Sequence, residues 1–169
     1  MRIESKTEIV ENYNGWKGEE LIRERGASYV PGRDVKEIAK DVRGLIKAAV
    51  KAGFLPKSLK ASVRIDRYSM GCSLDVDVTA VDDCILNVAA WREQAANGYR
   101  LSWADLGGMY NTLGREVLDT LVRFCKAFQK SESHSQSDYH NTNFYLDVNF
   151  SGDVIERQKS VFVEVGCEC

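Results

Sequence analysis

A chain of 169 residues, 44% hydrophobic and 28% charged with only two prolines, is long enough for one domain with a real core, and its composition excludes a disordered or collagen-like protein. The net charge of -2, from 23 basic and 25 acidic side chains, gives no global attraction for phosphates, so a nucleic-acid partner would need a local basic patch. No apolar run approaches the roughly 20 residues that cross a bilayer, and the charged start MRIESKTEIVENYNGW is unlike a secretory leader, which points to the cytoplasm; with an odd count of five cysteines, disulfides are not expected there.

Residues 1–33 read as an N-terminal extension with a short helix at WKGEELIRER, ahead of a single domain over residues 34–169. Asp34 is placed to cap a helix over DVKEIAKDVRGLIKAAVKAG, with Glu37 three residues on as a capping-box variant. Val35, Ile38, Ala39, Val42, Leu45, Ile46 and Ala49 recur at helical spacing, which leaves Lys36, Lys40, Arg43, Lys47 and Lys51 toward water. Gly53 and Pro56 end that helix. A hairpin follows: Val63 and Ile65 alternate with Ser62, Arg64 and Asp66, and Leu74, Val76 and Val78 alternate with Ser73, Asp75, Asp77 and Thr79, about a turn containing Gly71.

A second helical block, VDDCILNVAAWREQAANG, is expected to start near Asp82 or Asp83 and to bury Ile85, Val88, Ala89 and Trp91. Ser102 reads as the cap of a brief helix, SWADLGG, before TLGREVLDTLVRFCKAFQK resumes helical periodicity. The run SESHSQSD, Ser131 to Asp138, is polar enough to read as an exposed loop. NFYLDVNF places Phe144, Leu146, Val148 and Phe150 on one side and Asn143, Tyr145, Asp147 and Asn149 on the other; Ser151-Gly152-Asp153 suggests a turn or bulge, and SVFVEV a closing strand with Val161, Val163 and Val165 in phase. The expectation is an α+β fold of two layers: a mostly antiparallel sheet of two hairpins, with helices packed on its apolar face.

The stretches DVKEIAKDVRGLIKAAVKAG, KASVRIDRYSMGCSLDVDVTA and SDYHNTNFYLDVNFSGDV together resemble large polyvalent-protein-associated domain 29, over roughly Asp34 to Asp153. The resemblance implies an origin in bacteriophage or another mobile element and an accessory, host-facing role. It implies no catalytic residues. Two segments depart from the family pattern: VTAVDDC lacks the usual glycine-proline turn, and SVFVEVGCEC has no counterpart.

No catalytic signature stands out and none calls for a cofactor, so the residues favour binding over catalysis. Arg64, Arg67 and Tyr68 around RYSMG, with Asp75, Asp77, Tyr145 and Asp147 on the wet side of the strands, form the candidate binding surface, since arginine and aromatics on a sheet can grip bases, phosphates or a protein. The alternative for the same row is the solvated face of any half-exposed sheet. Three readings follow. The first is a phage or mobile-element protein that binds a host protein or nucleoprotein, antagonism of host defence being one form of that role. The second is a nucleic-acid-binding accessory protein using the lysine face of the first helix. The third is a metal-dependent enzyme acting on phosphate esters, should Asp75, Asp77 and Asp147 converge on Mg²⁺. Cys167 and Cys169 with His134 and His140 offer the right ligand types for zinc but no standard spacing. Cys72 is the candidate reactive thiol, Cys84 and Cys125 are expected as core filler, and Trp16 or Trp103 could support a homodimer.

Overall fold

The computed structural model describes residues 5–11, 20–97, 106–134 and 140–164. They form β1 (Ser5–Glu11), β2 (Glu20–Gly26), α1 (Val35–Ala52), β3 (Lys60–Tyr68), β4 (Gly71–Ala80), α2 (Val88–Asn97), α3 (Thr112–Lys126), β5 (Lys130–His134), β6 (His140–Thr142), β7 (Tyr145–Phe150) and α4 (Gly152–Gln158). The fold is α+β, as the patterning implies. One sheet is antiparallel with strand order β1-β2-β5-β6; the other is mixed, with order β3-β4-β7. The chain divides into two compact units, the first of Met1–Leu45, Val63–Asp75 and Val122–Asp147, the second of Ile46–Ser62, Val76–Leu121 and Val148–Cys169.

In the first unit, β2 is the main departure from expectation. ELIRERG is a strand, not the end of a helix, and it pairs with β1 on one side and β5 on the other. Register explains why. Glu8 lies opposite Arg23, and Arg23 opposite Glu132, so a row of alternating charge runs across three strands, with Arg23 Nε 3.2 Å from Glu132 and Lys130 Nζ 3.1 Å from the same carboxylate. The same pairing makes a strand of Lys130–His134, which takes in the first four residues of the expected polar loop; residues 135–139 lie outside the described part. Gly26 ends β2 against the backbone of Lys126 and Ala127, where a Cβ would collide with both carbonyls, and its N–H donates to the Gln129 carbonyl at 2.9 Å.

The first helix forms as its pattern demands. Val35, Ile38, Ala39 and Val42 are buried, and the Asp34 carboxylate accepts the Lys36 N–H at 2.8 Å. Arg33 reaches along the helix to Asp41 at 2.6 Å and to Glu37 at 3.5 Å, with its guanidinium 5.5 Å from the centre of the Phe128 ring. Alternation also holds in the three-stranded sheet: Leu74, Val76 and Val78 are all 0% exposed, while Arg64, Asp66, Tyr145, Asp147 and Asn149 face water. Cys125 is buried core filler, and burial pushes its thiol up to about 12.

In the second unit the helix starts differ from expectation. Residues 81–87 are not helical, because Leu86 bridges to Tyr110 and Gln158 holds this segment from the other side. The buried Gln158 amide accepts the Ile85 N–H at 3.0 Å and donates to the carbonyls of Asp83 at 2.8 Å and Val81 at 3.4 Å. Thus α2 begins only after Asn87, whose Oδ1 accepts the Ala90 N–H at 3.3 Å; Ile85 is buried ahead of it, while Val88 is half-buried and Ala89 exposed. Asn111 caps α3 in the same way, accepting the Gly114 N–H at 2.9 Å and donating to the Cys84 carbonyl at 2.8 Å. Cys84 is disulfide-bonded, contrary to the expectation of a reduced core thiol.

The expected closing strand is absent from the described residues. Ser151 precedes α4 rather than making a hairpin turn, its N–H donating to the Val78 carbonyl at 2.9 Å, and the helical path continues through Lys159–Glu164 as a wider π-type turn. Val161 and Val163 are therefore on a helical segment, and Val165 lies outside the described residues, as do Trp16, the SWAD start of the brief helix with Trp103, Cys167 and Cys169.

Candidate functional site

The connection from β3 to β4 is only Ser69 and Met70, so it throws both side chains outward at the tip of the first unit's hairpin. Met70 is 89% exposed, Tyr68 46% and Tyr145 44%. The two tyrosine rings lie 6.2 Å apart at their centroids, the His140 ring is 6.0 Å from Tyr145, and Gly71 lies against both tyrosines. His140 Nε2 is 3.2 Å from the Ser131 hydroxyl, which fixes the ring on the other sheet of the same unit. The result is an aromatic surface with a thioether at its edge.

Its electrostatics favour a neutral, hydrogen-bonding tyrosine. Burial raises the Tyr68 phenol above its ordinary value, and repulsion from Tyr145 and Cys72 once they ionise and from the Asp66 and Asp75 carboxylates raises it further. The phenol therefore stays protonated at neutral pH and can donate to a partner's acceptor. Cys72 is half-buried, its Sγ 3.6 Å from the Asn143 carbonyl.

Not all expected residues join this surface. Arg64, Tyr68, Asp75, Tyr145 and Asp147 share the hydrophilic side of the first unit's strands by alternation. Arg67 has the opposite parity, that of Val63 and Ile65, and pairs with Asp34 at the start of α1 at 3.1 Å. It helps to anchor that helix. Asp77 belongs to the second unit, and among the described residues no group of three or more His, Cys, Asp or Glu side chains could hold a metal ion. The convergence of Asp75, Asp77 and Asp147 on a divalent cation is thus not formed; nor is a zinc set from His134 and His140 within the described residues.

The lysine face of α1 is also less uniform than its sequence suggests. Arg43 turns its guanidinium to the Val63 carbonyl, and Glu37 and Asp41, both paired with Arg33, flank the lysines with acidic charge. Met70 and His140 are the members that sequence reasoning missed for this surface. A methionine at a hairpin position that ordinarily takes Gly, Asn or Asp was the available signal for the first. The second depended on pairing between β5 and β6, which periodicity does not reveal.

Compared with protein-family models, curated proteins and solved structures, the chain has no match in any of the three. No described helix is long and apolar enough to cross a membrane.

Proposed function

We propose that the protein is a binding module that recognises another protein through Tyr68, Met70 and Tyr145, with Asp75, Asp147 and Arg64 as the polar margin. The observation that carries this reading is the exposure of Met70, 89%, beside two half-exposed tyrosines held in mutual contact. Exposed aromatics and methionine in a contiguous set are the composition of interaction hot spots, and a rigid hairpin loses little conformational freedom on docking. The mobile-element setting, a host protein or nucleoprotein as partner and interference with host defence rest on the likeness of three stretches to the polyvalent-protein-associated family. That likeness makes a host cell the place to look for the partner.

The test pairs the wild-type chain with Met70→Asp and Tyr145→Ala in affinity capture from host lysate, followed by measured affinity for the recovered protein. Loss of about 30-fold in affinity for either variant, the scale of a hot-spot truncation, supports the reading. Equal affinity for all three chains refutes it.

A further inference from the structure

The end of α1 displays a second surface, in the other unit. Gly53, at a φ of 80°, donates its N–H to the Val50 carbonyl at 3.2 Å, while Phe54 donates to Ala49 at 2.9 Å. That is the paired-bond glycine cap, in which an apolar residue after the glycine ordinarily folds back on the last helical turn. Ala49 and Leu55 are indeed buried, yet Phe54 stands 77% exposed. The two hydrogen bonds of this turn are made by backbone alone, without the ring. Around it, the segment Ile46–Ser62 contains four lysines and no acidic residue, in a chain whose net charge is -2. Lys47 and Lys51 are one turn apart on α1, and Lys57 and Lys60 follow the cap; all four are exposed. Asp82 and Asp83 border this segment at Ser58, whose hydroxyl accepts the Asp82 N–H at 3.0 Å and contacts the Asp83 carboxylate at 3.4 Å.

We infer that Phe54 with Lys47, Lys51, Lys57 and Lys60 is a binding site for single-stranded nucleic acid, the ring stacking on a base and the ammonium groups meeting the flanking phosphates. Charge complementarity selects a polyanion. The choice among polyanions follows from the apolar area: Leu55 and Leu59 are 3% and 6% exposed, so one ring is all that the turn presents. Insertion into a lipid surface scales with buried apolar area and needs more than that, whereas one ring suffices to stack one base. A duplex keeps its bases stacked internally and gives the ring no platform.

The experiment is fluorescence anisotropy of the full chain with a labelled oligothymidylate, the matching duplex and, by sedimentation, phosphatidylserine vesicles, across a salt series. Single-strand binding should weaken with salt at a log–log slope of about -3 if four phosphates are met. Phe54→Ala should weaken it by about tenfold without changing the slope, the scale of one lost stack. The double variant Lys51→Glu, Lys57→Glu should roughly halve the slope. Both alter exposed side chains, so an unchanged Tm shows that the variants fold. Equal affinity of Phe54→Ala and wild type, duplex binding as tight as single-strand binding, or capture by vesicles without capture by the oligonucleotide would each overturn the assignment.

Discussion

The two sheets of this molecule are held by different side chains. Along β4, the three residues Leu74, Val76 and Val78 have no exposed surface, and the strand is fixed by apolar burial on one side. In β1, β2, β5 and β6, Leu21 is the one fully buried side chain among the described residues, and register is set by Glu8, Arg23 and Glu132 in a row. Burial is non-directional and largely indifferent to salt; charge pairing depends on partners and is screened. The first kind of sheet should therefore be stiff and the second locally unstable, which bears on how the hairpin tip is presented, since His140 of the second kind touches Tyr145 of the first.

That contrast can be broken from its strong side first. Leu74→Ala should lower unfolding free energy by about 2–5 kcal/mol in urea titration, while Glu8→Ala should change it by less than about 0.5 kcal/mol. Similar losses would mean that the two sheets do not differ as described. Gln158→Leu removes the partners of one N–H and two carbonyls in a buried place, and about 3 kcal/mol should go with them. A double-mutant cycle on Arg23 and Glu132 should return about 0.5–1 kcal/mol of coupling that shrinks as salt is added. A coupling of zero at low salt would remove charge pairing as the basis of the four-stranded sheet.

The smallest expected effect is a dependence on acid. The Lys36 N–H holds the Asp34 carboxyl below its ordinary value, against a smaller opposing contribution from burial, with Arg67 and Lys36 adding to the lowering. A carboxyl lowered in the folded state stabilises above its unfolded value and loses that contribution as pH falls through the folded one. Asp34→Asn should thus flatten the stability curve below about pH 4 and leave its shape near neutrality unchanged. An unaltered acid limb would contradict the cap.

Sequence was informative where one face is apolar. Helix α1, the alternation in β3, β4 and β7, and helix α3 follow from periodicity, because each buries a stripe of side chains. It was uninformative where partners decide. ELIRERG and KSESH lack an apolar face, and what makes them strands is each other. The segment SGDVIERQ also carried a helix start, a serine followed by an acidic first turn, which the valine alternation just beyond it outweighed. For the site, Tyr68 and Tyr145 were legible as residues of a hydrophilic face. Met70 was signalled only by its place in the short turn, and His140 and Phe54 not at all, because exposure and contact across sheets are properties of the folded chain.

The central claim is that the tip of the β3–β4 hairpin grips another macromolecule. A photo-cross-linking amino acid at position 70, compared with one at position 30, where Val30 is 55% exposed in the same unit, tests it in the cell that makes the protein. The expected result is a discrete protein adduct from position 70 that Tyr145→Ala abolishes and position 30 does not give. The same adducts from both positions, or an adduct from position 70 indifferent to Tyr145, would show that this surface is merely wet.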